Sequence, residues 1–272
     1  MKIPLFYIDA FTTEAFKGNP AAVCMLDAWL PDETLQDIAS QHNLSETAFV
    51  VKDEKNMFHL KWFTPTTEVD LCGHATLATA FVLFSIYNFD KKPIQFTTKS
   101  GKLDILQEAD GKLTMNFPAF ETNPYSRKDL SSLFGTKAIE FRKSRDLVVV
   151  FENELDVELF QPNFEKLKSI DTHGIIITAP GKDCDFVSRF FAPNAGVNED
   201  PVTGSAHCTL APFWGERLGK KQLYARQLSK RTGEIWCKTN GDRVLLSGFA
   251  HSYMQGTINI SIKPPSNLVQ FA

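Results

Sequence analysis

Short apolar runs bounded by Gly, Pro, Asn and Asp punctuate the first half of the chain, most at strand period. They predict strands over 3–11, 21–26, 45–51, 57–63, 94–98, 102–108 and 112–116. Gly18-Asn19-Pro20 marks the turn between the first two. Pro31-Asp32-Glu33 opens a helix to about His42, with Leu35, Ile38 and Ala39 on one face. The stretch 73–87 is apolar on every side (Leu77, Ala80, Phe81, Leu83, Phe84), the pattern of a buried helix. The segment 118–126 carries two prolines and no periodicity, and the lobe boundary is placed there. No element is assigned to 127–162. Beyond it the pattern predicts a helix over 163–169, strands over 174–178 and 185–191, a buried helix over 204–218, and strands over 223–228, 233–239, 243–248 and 256–262.

The second half echoes the first. Residues 61–69 read KWFTPTTEV and residues 189–197 read RFFAPNAGV, a constant offset of 128. Lys61 matches Arg189, Trp62 Phe190, Phe63 Phe191, Pro65 Pro193 and Val69 Val197. Each block leads to a Gly and a small-residue helix: Cys72-Gly73-His74-Ala75-Thr76, then Thr203-Gly204-Ser205-Ala206-His207. The apolar strand at 47–51 also has a counterpart near 175–179, with Gly174 in the place of Glu46. The expected fold is α+β: two pseudo-symmetric lobes, each a mostly antiparallel, barrel-like sheet around a central helix. The lobes are expected at 1–120, completed by a C-terminal strand within 256–272, and at 121–255.

Composition narrows the function. Net charge is −3 with 22% charged residues, so no global basic field points to nucleic acid. The local stretch Lys220, Lys221, Arg226, Lys230, Arg231 reads as a solvated hairpin. No apolar run reaches the roughly 18 residues a membrane span needs, and Asp9 breaks any N-terminal leader. A cytoplasmic protein without membrane or nucleic-acid partners is expected. The five cysteines, Cys24, Cys72, Cys184, Cys208 and Cys237, are scattered without a CxxC pair, which predicts neither a disulfide framework nor a zinc site. P-loop, GxSxG, HExxH and GxGxxG motifs are absent.

The two helix starts carry the candidate chemistry. A helix N-terminus offers free N–H groups and about half a positive charge, and Gly73 and Gly204 let a carboxylate approach the backbone. Alternatively the glycines serve tight turns, and Thr203 and Ser205 cap a helix. Glu46, between a helix and an apolar strand, reads as a solvated acid or as a desolvated carboxyl poised for proton transfer. His74 reads as a packed side chain or a neutral site imidazole. Asp200 is a helix-dipole partner or lines the cleft, with Ser205, opposite Glu46. Cys72 and Cys208, near the two starts, raise a two-thiol racemase as a rival. A non-catalytic binding protein of the same fold is another.

Phe16-Lys17-Gly18-Asn19-Pro20-Ala21-Ala22-Val23, Ser45-Glu46-Thr47-Ala48-Phe49, Phe63-Thr64-Pro65, Leu71-Cys72-Gly73-His74-Ala75-Thr76 and Glu199-Asp200-Pro201-Val202-Thr203-Gly204-Ser205-Ala206 together resemble the PhzF-like (phenazine biosynthesis protein) family. The resemblance implies a diaminopimelate-epimerase-like fold and an isomerase, homodimeric, using neither metal nor organic cofactor on a small carboxylate substrate. By that likeness Glu46 is the general acid/base, and His74, Asp200 and Ser205 accompany it. Asn19, Gly73, Thr203 and Gly204 hold the substrate. The related racemases use two cysteines; here Asp200 precedes the second helix where a thiol would be wanted, which favours one base.

Overall fold

The computed structural model describes residues 1–54, 57–90 and 93–261. The first lobe runs β1 (Lys2–Ala10), β2 (Asn19–Leu26), α1 (Asp32–His42), β3 (Glu46–Lys52), β4 (Phe58–Phe63), β5 (Glu68–Val69), α2 (Gly73–Phe81), β6 (Ile94–Thr98), β7 (Gly101–Gln107) and β8 (Leu113–Pro118). Next come β9 (Asn123–Pro124), α3 (Leu130–Phe134), β10 (Ala138–Lys143), β11 (Leu147–Phe151), α4 (Glu154–Glu158), α5 (Phe164–Leu167), β12 (Ile175–Pro180), β13 (Phe186–Ala192) and β14 (Val197–Asp200). The chain ends with α6 (Gly204–Leu218), β15 (Gln222–Gln227), β16 (Gly233–Asn240), β17 (Arg243–Gly248) and β18 (Ala250–Asn259).

Strand pairing shows the duplication directly. The first curl is β18–β1–β2–β3–β4–β6–β7–β8, parallel at β2–β3 and β4–β6 and antiparallel elsewhere. The second is β9–β10–β11–β12–β13–β15–β16–β17, parallel at the equivalent places, β11–β12 and β13–β15. β8 pairs antiparallel with β17 and joins the two. Each curl begins with a strand delivered from the chain end of the other: β9 follows β8, and β18 follows β17.

The parallel steps need crossovers, which α1 supplies in one lobe and α4 with α5 in the other. Helices α2 and α6 fill the curls. Their apolar faces (Leu77, Ala78 and Ala80; Leu210, Ala211 and Trp214) belong to one core cluster that spans both lobes. Two outer cores lie under the crossover helices, one with Leu35 and Phe49, the other with Leu167 and Phe191.

The expected elements recur, and unassigned ones join them: α3, β10, β11 and α4 within 127–162, and the short β5, β9 and β14. The buried helix over 73–87 is α-helical only to Phe81; Val82–Ile86 continues it as a π-helix. Strand β11 lies in the unassigned stretch. Its Val148 and Val150 enter the central core while Leu147, Val149 and Phe151 enter the outer one, so no polar alternation marks it. The expected strand over 256–262 starts earlier, as β18 at Ala250, because most of β18 is exposed on both faces and lacks an apolar pattern. Residues 262–272 of the segment expected to complete the first lobe lie outside the described residues.

The register corrects one match in the repeat. Trp62 pairs with Val69, and its counterpart Phe190 pairs with Asp200. Asp200, not Val197, therefore occupies the place of Val69. A register shift between Phe190 and Ala192 and the 3-10 turn Pro193–Ala195 take up the extra residues.

Candidate active site

The helix starts meet head to head. A Cβ built on Gly73 would lie 3.9 Å from the Gly204 Cα, and one built on Gly204 would lie 3.9 Å from the Gly73 Cα. Any side chain here would fill the gap. Neither start has a side-chain cap, at Cys72 or at Thr203. Their first-turn N–H groups and both dipoles thus point toward a cavity of about 610 Å³ lined by both lobes.

Glu46 opens β3, beside Ala21 of β2, and its side chain is 18% exposed to that cavity. Burial, then the Asp200 charge, push its carboxyl up to about 8, against a hydrogen bond from the Cys72 thiol. Burial pushes Asp200 up to about 6, against hydrogen bonds from Thr203 and Asn19. Near neutral pH the pair therefore holds one proton, on Glu46. Burial, then the charge of Glu46, raise the Cys72 thiol well above its ordinary value, so it stays a donor.

Asn19 sits at the first position of β2 and is fully buried. Its Nδ2 lies 2.8 Å from Asp200 Oδ1, 2.9 Å from the Val202 carbonyl and 3.2 Å from His74 Nδ1. His74 Nε2 lies 3.3 Å from Glu46 Oε2 without forming a hydrogen bond, and Cys72 Sγ lies 3.6 Å from His74 Nδ1. Burial lowers the imidazole to about 3, so His74 is neutral. Asn19 Oδ1 and His74 Nε2 are buried polar atoms without a hydrogen-bond partner among the described residues. Orphan groups of this kind are costly, and of the two residues His74 lines the cavity.

Glu46, His74, Asp200 and Asn19 form one cluster, with Gly73 and Gly204 at its floor. Glu46, from the first lobe, and Asp200, from the second, line the same cavity. One expectation is corrected. Ser205 and Thr203 do not cap α6. Thr203 Oγ1 donates to Asp200, and Ser205 Oγ accepts from Arg145 Nη2 at 3.0 Å. The pseudo-equivalent of Cys72 is Thr203, the residue before each helix, so Thr203 rather than Asp200 stands where a second thiol would be wanted. Cys208 lies a turn inside α6, 3% exposed, with its thiol on the Gly204 carbonyl.

Glu46, Cys72 and His74 bring potential metal-ligand atoms within 4.8 Å of one another.

Sequence reasoning missed Gln227, Arg145, Asp146 and His173. Buried Gln227 accepts from the Thr203 N–H and donates to the Asp200 carbonyl, fixing the turn before α6. Arg145 and His173 line the cavity from the second lobe. The repeat offset carried a usable signal for His173: it stands where Ser45 precedes Glu46.

Architecture and site define a class: a two-lobed α+β protein of the diaminopimelate-epimerase-like fold. A predicted epimerase from Pseudomonas aeruginosa shares that fold at a TM-score of 0.73 and 16% identity, over 95% of this chain and all of its own. The family model for phenazine biosynthesis-like proteins matches residues 8–256, and the chain belongs to this PhzF family. An uncharacterised isomerase of Pseudomonas aeruginosa is 48% identical over 96% of this chain and its own full length. A PhzF-family crystal structure from Enterococcus faecalis superposes at a TM-score of 0.92, with 43% identity over 96% of this chain and all of that one. Relatives named isomerases span 43–48% identity over nearly the whole chain, and the protein is an isomerase. Among the described residues no helix is long and apolar enough to cross a membrane.

Proposed function

We propose that the protein isomerises a small carboxylic acid bound between its lobes by a one-base proton shift through Glu46. The observation that supports this most is the Glu46 carboxyl itself. It is desolvated, raised to about 8, and faces a cavity floored by two uncapped helix starts.

The substrate carboxylate sits at Gly73 and Gly204, where backbone N–H groups and both dipoles face it. Glu46, as carboxylate, takes a proton from the carbon next to that carboxylate or next to a C=C. The C–H electron pair passes into the adjacent π system, and the helix starts stabilise the resulting anion. The same carboxyl returns the proton at another carbon. No electrons leave the substrate, so the step balances without an oxidant or an organic cofactor. Neutral His74, with Nε2 3.3 Å from Glu46 Oε2, packs beside the carboxyl.

The test is incubation of the purified protein in D₂O with a panel of small unsaturated or cyclic acids, following deuterium entry and double-bond position. Exchange by the parent protein supports the reading; no exchange with any acid of the panel contradicts it. The two-thiol rival is separated by Cys72→Ser and Cys208→Ser. We expect both to retain exchange within about tenfold, because neither thiol is ionised or paired with a twin. Loss of more than a hundredfold in both would favour a thiol pair.

A further inference from the structure

The pseudo-symmetry exposes what faces Glu46 across the cleft. In the first lobe Ala22 pairs with Thr47, one residue after Glu46. In the second Leu147 pairs with Ile175, one residue after Gly174. Gly174 thus takes the place of Glu46. Nothing larger fits without displacement, since a Cβ there would lie 2.3 Å from Phe190 Cζ and 3.0 Å from Asp146 Oδ1.

A hydrogen-bonded group that includes one guanidinium surrounds this vacated position instead. Asp146 is buried, with a side chain 1% exposed. Its Oδ1 is 2.9 Å from His173 Nδ1 and its Oδ2 is 3.1 Å from Arg145 Nη2. Burial favours its neutral form, but His173 and Arg145 outweigh that and hold it below the usual carboxylate range. Asp146 is therefore an ionised anchor that orients both partners. The second hydrogen of Arg145 Nη2 goes to Ser205, the first-turn residue of α6 in the place of His74. The ring of Phe120 lies 6.0 Å from the guanidinium carbon. Arg145 Nε and Nη1 have no acceptor among the described residues, and Arg145, Phe120 and His173 line the same cavity as Glu46. A guanidinium held by Asp146 and Ser205 at the wall of the proposed acid site is suited to read a carboxylate or phosphate.

We propose that Arg145, with His173 beside it, binds a second anionic group of the substrate, so that the acids this site isomerises are dianions. The inference rests on the reading of Glu46 as the base. One lobe supplies the proton acceptor and the symmetry-related place on the other supplies the counter-ion. The first carboxylate lies over the helix starts, between them. Ionised Asp200 repels an anion from the Glu46 end, and Arg145 attracts it to the far end. The substrate is thereby oriented with its reacting carbon at Glu46.

The test compares fumarate with crotonate, which share a four-carbon unsaturated frame and differ by one carboxylate replaced by a methyl. Calorimetry at neutral pH is expected to show the parent protein binding fumarate at least about tenfold more tightly, the discrimination of one charge-assisted contact. Arg145→Gln is expected to bring fumarate down to crotonate, and Arg145→Lys to keep part of the preference. Equal affinity of the parent for the two acids overturns the proposal, with no reliance on a variant that must fold. So does a fumarate preference that survives Arg145→Gln. The same comparison in Glu46→Gln separates the two ideas: the dianion preference there is expected to persist, and its persistence supports the Arg145 site even if Glu46 proves not to be the base.

Discussion

Glu46→Gln is expected to slow proton exchange by about 10²–10⁴-fold, the range a positioned general base supplies. Gln keeps the volume and one acceptor oxygen of Glu but cannot take up a proton. The loss is large because the site has no substitute base. The Cys72 thiol is held protonated, burial keeps His74 a very weak base, and the pseudo-equivalent of Glu46 is Gly174. Asp200 is ionisable but tied to Asn19 and Thr203. Deuterium entry into the acid turned over by the parent measures the effect. An unchanged rate in the variant rules out Glu46.

The same substitution is expected to stabilise the folded protein at alkaline pH. The sign follows from the direction of the shift. The folded-state value of Glu46 is about 8 against an ordinary 4.5. An acid with a raised value binds its proton more tightly when folded. Its contribution is intact below about 4.5 and is lost as pH climbs through about 8. At 1.36 kcal/mol per pH unit the parent gives up about 5 kcal/mol across that window. Glu46→Gln carries no charge to desolvate and avoids the loss. Its melting temperature is expected to match the parent near pH 4.5 and to exceed it by about 10 °C at pH 9. A difference that stays constant with pH would contradict the desolvation argument.

Much of the fold was legible because the duplication shows in the residues. The KWFTPTTEV and RFFAPNAGV blocks and the two Gly helix starts place both central helices and the strands around them. What escaped had physical causes. Leu147–Phe151 is buried on both faces, so its apolar run carries no period. β18 is largely exposed on both faces, so it carries no apolar stripe. The site was legible only in part. Glu46 alone is indistinguishable from a solvated acid; its desolvation comes from α2 and the turn before α6, remote in sequence. Asn19 followed from a motif, but its three contacts required the turn after β14 to fold against β2. Arg145 and Asp146 carry no local signature. They come to notice when the repeat is applied as a three-dimensional operation and Gly174 is found at the place equivalent to Glu46.

The two lobes share a topology and differ in chemistry, and the central claim is that Glu46 is a single, desolvated base tuned by Asp200. The most direct measurement is the pH dependence of proton exchange at subsaturating substrate, in the parent and in Asp200→Asn. The parent rate is expected to rise about tenfold per unit below an inflection near 8, as the Glu46 carboxylate forms. Asp200→Asn removes the like charge that helps raise Glu46, so the inflection is expected to move to lower pH. An inflection near 4.5 in the parent, or one that Asp200→Asn leaves in place, would contradict it.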